Sequence, residues 1–224
     1  MAGTTGSSGP AEECDVLIIG GGPAGSTAAA LLAKRGHRVV VAEKDRHPRF
    51  HIGESLLPAN LPLFERLGIA DEIRAIGMVK RGVQFVSPWH ENISQTFAFK
   101  DAWDKTMPYA YQVRRSEFDK VLLHNAARSG AIVHEGCRVR SVVDAPADAG
   151  ALVHADDGSE TGRTWHARYV MDASGRDTFM GNREHMKYRN PRHNSASLYA
   201  HFRGAIRQEG EAEGDISIFW FQHG

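Results

Sequence analysis

The chain has 224 residues, with 27 Lys+Arg against 27 Asp+Glu and 42% hydrophobic residues. That length can bury a sizeable core in one large or two small domains. The balanced charge gives no general electrostatic footprint for nucleic acid or a membrane surface, and no apolar run approaches the ~18 residues of a membrane-spanning helix.

Residues 1–13, MAGTTGSSGPAEE, are small and polar and read as a disordered tail. Asp15–Ile19 is then an apolar run of strand length, followed at once by Gly20-Gly21-Gly22-Pro23-Ala24-Gly25, which fits G-x-G-x-x-G. Ser26–Arg35 reads as a helix stopped by Gly36, and Arg38–Ala42 is a second apolar run closed by Glu43. Strand, glycine turn, helix, strand and acid in about 30 residues form the dinucleotide-binding fingerprint. Gly20 allows the tight turn, Gly22 lets the backbone approach a pyrophosphate, and Gly25 lets the helix pack on the sheet. Pro23 and Ala24 open the helix, whose N-terminal N–H groups suit an anion, and Pro costs little there. Glu43 follows the last glycine by 18 residues. Its carboxylate can accept ribose hydroxyls and repels a 2′-phosphate, which favours FAD or NAD over NADP.

Lys44–Ser55 is a charged loop, and a leucine-rich helix with Pro58 and Pro62 runs to Gly68, followed by a short helix to Ile76. Val83–Val86 and Ile93–Phe99 alternate at period two and read as paired strands, with Tyr109–Val113 as another. Ser116 reads as the cap of a helix ending at Gly130, with Asp119 closing a capping-box-like start. Ala131–Val133 and Arg138–Val143 read as strands, followed by a turn over Asp144–Gly150. Ala151–His154 and Thr164–His166 read as a hairpin, and Arg168–Met171 as a short strand ending in Asp172-Ala173-Ser174-Gly175-Arg176. Ser195–Arg203 and Ile216–Gln222 read as strands around an acidic loop. Parallel α/β elements with antiparallel strands interleaved imply a nucleotide-binding domain with an inserted sheet domain. Two cysteines, Cys14 and Cys137, make no disulfide framework, so a reducing cytoplasm is expected. The twelve histidines form no H-E-x-x-H pairing, and no metal site is expected.

Several segments carry a family resemblance. Arg114-Arg115-Ser116-Glu117-Phe118-Asp119 resembles the R-x-x-F-D stretch of flavoprotein monooxygenases and prenyl reductases, and Asp172-Ala173-Ser174-Gly175 resembles their D-A-[ST]-G segment. Gly53-Glu54-Ser55 before a leucine-rich helix resembles a segment of the flavin-dependent halogenases, and residues 194–203 and 216–224 look like their substrate-domain sheet. From Cys14 to Gly224 the sequence resembles the halogenases that act on phenol- or pyrrole-type substrates. The fold implied is α/β: an FAD-binding Rossmann-like βαβ domain (residues 14–79 and 107–180) with an inserted antiparallel β-sheet substrate domain (residues 80–106 and 181–224). The family's Trp-x-Trp-x-Ile-Pro signature and later Gly-Asp segment are not in this sequence. The resemblance therefore implies about the N-terminal half of such an enzyme, with an incomplete FAD site and substrate cavity.

The activity implied is aromatic halogenation in secondary metabolism. Reduced FAD from a separate flavin reductase, oxygen and a halide ion yield hypohalous acid, which a lysine passes to an electron-rich ring, free or tethered to a carrier protein. Lys80 sits where the family's lysine sits. The resemblance places Gly20, Gly22, Pro23, Ala24, Gly25, Glu43, Lys44, Ser55, Arg115, Val139 and Asp172 around FAD, with Glu54 near the flavin and Trp103 and Tyr109 along the aromatic cavity. Two other readings stay open: an FAD-dependent aromatic hydroxylase or prenyl-type reductase, and an inactive nucleotide-binding fragment.

Overall fold

The computed structural model describes residues 11–146, 149–193 and 195–221. Residues 1–10 of the expected tail, 147–148 of the expected turn, Asn194, and 222–224 at the last expected strand lie outside the described residues. The elements begin with β1 (Glu12–Ile19), α1 (Pro23–Ala33), β2 (Val39–Glu43), α2 (Leu61–Leu67), α3 (Ala70–Ile76) and β3 (Met78–Lys80). They continue with β4 (Gly82–Ser87), β5 (Ile93–Ala98), β6 (Ala110–Gln112), α4 (Arg115–Arg128), β7 (Ile132–Glu135) and β8 (Arg138–Asp144). Last come β9 (Ala151–Asp156), β10 (Arg163–Asp172), α5 (Phe179–Arg183) and β11 (Ile216–Phe219). None of the described helices is long and apolar enough to cross a membrane.

One unit comprises the residues up to His51 and Arg115–Lys187. Its six-stranded sheet has the order β7-β2-β1-β10-β9-β8. β7, β2, β1 and β10 are mutually parallel, whereas β9 runs antiparallel to both β10 and β8. The parallel centre explains the unbroken apolar runs of β1 and β2, because both faces of such strands are covered. Leu17, Ile18 and Val41 are fully buried, as is Trp165 on β10. Each such aliphatic side chain contributes roughly 1.5–3 kcal/mol by leaving water. α1 and α4 pack against one another. The chain leaves β1 toward β2 on one side, and β10 lies on the other. This change of direction opens a crevice beyond the carboxyl end of β1, the position where open α/β sheets bind ligands.

Two expectations are corrected here. Glu12 and Glu13 are not tail: they pair with Trp165 and His166 at the start of β1. Glu12 takes Arg163 at 3.2 Å and Glu13 takes His166 Nδ1 at 3.0 Å, so polar residues extend the strand by cross-strand partners. The expected strands 164–166 and 168–171 are one, β10, since its ladder with β1 keeps the same register on both sides of the exposed Arg168.

The other unit comprises Ile52–Arg114 and the residues from Tyr188 on. It holds a three-stranded sheet, β11-β4-β5, and the antiparallel pair β3-β6. Residues 52–79 and 107–114, expected with the nucleotide-binding part, fall here, and residues 181–187 fall in the first unit. Backbone pairing is the reason. β3 pairs with β6, Ser55 bridges Gln112, and the Leu56 N–H donates to the Tyr111 carbonyl at 2.9 Å. Residues 195–203, expected as a strand, form none, and Leu198 and Phe202 are exposed. Alternation shows that a segment can pair, but no ladder among the described residues includes this one.

Candidate functional site

In the first unit a cleft of roughly 660 Å³ opens beyond the carboxyl ends of β1 and β2. Gly20, Gly22, Pro23, Ala24, Glu43, Lys44, Arg115 and Val139 all line it. The glycines differ in what they serve. A Cβ on Gly25 would lie 2.0 Å from the Gly20 carbonyl oxygen, so Gly25 permits α1 to sit against the turn. Gly20 has φ +104, and a Cβ there would meet the Ala173 carbonyl oxygen at 2.5 Å. A Cβ on Gly22 meets only Arg49 Nη2, at 3.7 Å. No neighbour in the protein therefore requires glycine at 22, and a Cβ there would fill the mouth of the cradle. That pattern fits a group seated against the backbone at the N-terminus of α1, where first-turn N–H groups have no partner within the helix.

Glu43 is buried and organises the turn as well as facing the cleft. Its Oε2 accepts from Gly21 N–H at 2.6 Å and its Oε1 from Asp45 N–H at 2.8 Å. A carboxylate has further lone pairs, so both oxygens keep capacity for ribose hydroxyls. Gly21, read only as a spacer, is needed here: a Cβ would meet Leu123 Cδ1 at 2.9 Å and Glu43 Cβ at 3.0 Å. Lys44 pairs with Asp177 on the rim, and this contact holds the Asp177 carboxyl below the usual carboxylate range. Val139 lies beside a bulge in the β8–β9 ladder, which places its backbone at the cleft.

Two of the arginines that line the cleft, Arg49 and Arg115, share one acid behind it, Asp119. Asp119 is fully buried, and Arg115 grips it with two bonds, Nε–Oδ1 at 2.7 Å and Nη2–Oδ2 at 3.0 Å. Arg49 Nη2 approaches the same Oδ2 at 3.7 Å and also lines the cleft. The expected capping box is thus corrected. Both carboxylate oxygens of Asp119 are taken up by arginine, because the i,i+4 position puts the side chain over Arg115. Arg49 and Asp119 escape sequence reading: the first sits in an irregular charged loop, and the second has a local explanation that looks complete.

Asp172 is not part of the cleft lining. Its Oδ1 accepts from Ser174 N–H at 2.9 Å and its Oδ2 from Met180 N–H at 2.7 Å. It ties the turn after β10 to the start of α5, and Ala173, Ser174 and Gly175 of that turn line the cleft. Through that turn Asp172 shapes the wall of the cleft.

The second unit contains Lys80 and Ser55. Lys80 ends β3 and is 2% exposed, so it is not a solvated lysine at a helix–strand junction. Its Nζ donates to Ser55 Oγ at 2.7 Å and to the Leu56 carbonyl at 2.6 Å. The same Nζ lies 5.3 Å from the Phe99 ring centroid. Burial pushes the ammonium pKa below the ordinary lysine value, opposed by the charge of Asp215. Trp103, expected along an aromatic cavity, is fully exposed at 101%. Tyr109 packs edge-on to Tyr111, with ring centroids 5.5 Å apart.

Comparison with known proteins adds weight to this geometry. The chain is 36% identical over 211 residues to the tryptophan 2-halogenase of Chondromyces crocatus, covering 91% of this chain and 38% of that protein. It is 30% identical over 228 residues to the 1H-pyrrole-2-carbonyl-[peptidyl-carrier protein] chlorinase of Pseudomonas fluorescens, covering 93% of this chain and 50% of that one. Among solved structures, the myxobacterial chondrochloren halogenase, an FAD-dependent enzyme, superposes with TM-score 0.68 at 40% identity. That superposition covers 75% of this chain and 38% of that chain. The chain thus spans between about a third and a half of the length of these relatives. A family model described as FAD binding domain matches residues 13–220, nearly the whole chain, and the chain belongs to that flavoprotein family.

Proposed function

We propose that this chain works in flavin-dependent halogenation of an electron-rich aromatic substrate, with FAD in the cleft of the first unit and Lys80 as the halogen carrier. The observation that carries this reading is the buried Lys80 amine, held by two acceptors and depressed in pKa. Bound FAD, reduced by a separate flavin reductase, would supply with oxygen and a halide ion the hypohalous acid.

The protein's residues do the rest. The α1 N-terminus, Arg49 and Arg115 would hold the pyrophosphate, Glu43 the adenosine ribose, and the Val139 backbone the adenine. At Lys80 the free amine lone pair takes the halogen from hypohalous acid. The oxygen–halogen bond breaks, and the amine proton leaves with hydroxide as water. The aromatic ring then takes the halogen and gives up a proton, which regenerates the amine. Only the unprotonated amine can act, and desolvation favours that form. A solvated lysine would stay an ammonium ion at neutral pH. The rate is therefore expected to rise with pH until Lys80 is deprotonated, below the ordinary lysine value. The similarity to the pyrrole chlorinase supports an aromatic acyl group tethered to a carrier protein.

The test supplies the protein with FAD, a flavin reductase, a nicotinamide reductant, bromide or chloride, and an electron-rich phenol or pyrrole. Lys80→Met is expected to abolish halogenated product while oxygen-dependent consumption of reduced flavin continues. Undiminished halide incorporation by the variant would sink the assignment, and a hydroxylated product in both proteins would favour the hydroxylase reading.

A further inference from the structure

The contact between Ser55 and Lys80 is built by three adjacent backbone segments with β6 in the middle. Met78 pairs with Gln112 from one side and Ser55 bridges Gln112 from the other, while Lys80 pairs with Ala110. Directly opposed residues project to the same face, and so do alternate residues along a strand. Ser55, Lys80, Ala110 and Gln112 therefore share one face. Ala110 is buried and ends at Cβ, which lets the lysine cross the middle strand and reach the far segment.

There Nζ meets two acceptors on neighbouring residues, Ser55 Oγ at 2.7 Å and Leu56 O at 2.6 Å. The groups around it (Ser55, Leu56, Phe99 and Ala110) are uncharged, and Asp215 is the acid whose charge acts on it. An amine nitrogen is tetrahedral. One direction is its own carbon, and two are fixed by hydrogen bonds to Ser55 and Leu56. The fourth holds the third proton of the ammonium or the lone pair of the free amine. With Leu56 alone, the amine could turn about its last carbon–nitrogen bond and the lone pair would have no fixed direction.

We propose that Ser55 is a positioning residue for Lys80: with the Leu56 carbonyl, its hydroxyl oxygen fixes the direction in which the lysine lone pair points. This departs from the expectation that Ser55 contacts the cofactor, and it rests on the reading of Lys80 as the halogen carrier. The required group is a hydroxyl oxygen at that point. Threonine should therefore supply it, whereas alanine should not, and cysteine should supply a weaker acceptor in nearly the same volume.

The test is nitrogen NMR of the full chain labelled at lysine Nζ, with Lys80→Met identifying the Lys80 signal. Ser55→Ala and Ser55→Cys are expected to speed hydrogen exchange at the Lys80 ammonium. They should also move its titration midpoint downward, because the charged form loses an acceptor. Ser55→Thr should restore both properties. FAD affinity, measured by fluorescence titration, should be the same in all four proteins. Unchanged exchange and midpoint in folded Ser55→Ala and Ser55→Cys would overturn the proposal. So would weakened FAD binding with an unaltered Lys80 signal, which would make Ser55 a cofactor contact. Failure of the carrier reading registers separately, as product formation by Lys80→Met, and leaves the NMR outcome to be judged by itself.

Discussion

Gly22→Asp is expected to fold at least as stably as the parent protein and to lose FAD affinity by about 100-fold or more. Gly22 is the N-cap of α1, with φ −71 and ψ −175, extended backbone that any residue adopts. It makes no side-chain cap, and a Cβ there would meet only Arg49 Nη2 at an ordinary 3.7 Å. Aspartate is among the preferred N-cap residues and complements the positive end of the helix, so the protein itself gains. The cost falls on the ligand. A carboxylate would sit where the pyrophosphate is expected, and two like charges about 4 Å apart in a site of intermediate dielectric repel by about 4 kcal/mol. Gly25→Ala should behave in the opposite manner. Its Cβ would lie 2.0 Å from a backbone oxygen that cannot swing aside, so α1 must move off the turn. Forced overpacking of this kind costs about 1–3 kcal/mol. Thermal unfolding without ligand and fluorescence titration with FAD separate the two effects. Parental FAD affinity in Gly22→Asp would remove the phosphate from this cradle.

These two glycines mark how far the sequence could be read. The strand–glycine–helix–strand unit was legible because each part depends on residues next to it: an apolar run, a turn and a helix start. Lys80 is singled out only by resemblance, and its burial and its two acceptors are not legible in the sequence at all. Ser55 lies 25 residues before it, and the contact exists because β6, some thirty residues after it, runs between the two. Asp119 illustrates a different failure. Its spacing from Ser116 satisfied a local rule, yet the side chain is committed to Arg115, one further back, and to Arg49 from a distant loop. Asp172 was correctly placed at the end of its strand, but which partner its carboxylate takes depended on where α5 begins. Residues 195–203 alternate as a strand should and pair with nothing among the described residues. Patterns along the chain state what a segment can do; the partner decides what it does.

Asp119→Ala is expected to destabilise the fold by about 3–5 kcal/mol, the usual result of removing one member of a buried ion pair. The loss comes from what stays behind. The Arg115 side chain is only 11% exposed, and Arg49 would lose its nearest approach to Asp119 as well. Two guanidinium groups would then lose the carboxylate they share, leaving Asp45, 3.6 Å from Arg49 Nε, beside Arg49. Arg115→Met combined with Asp119→Leu should recover most of that stability, since replacing a buried pair by apolar groups of similar volume is often nearly neutral. Ligand binding should not recover with it. If Asp119 exists to aim arginine at a pyrophosphate, the double variant folds but binds ADP weakly, because one of the two guanidinium groups proposed to hold the phosphates is gone. Chemical denaturation and calorimetric titration with ADP follow the two quantities independently. A double variant that regains both stability and parental ADP affinity would mean that Arg115 and Asp119 serve the core alone. Arg49 and the helix N-terminus would then have to carry the phosphate site.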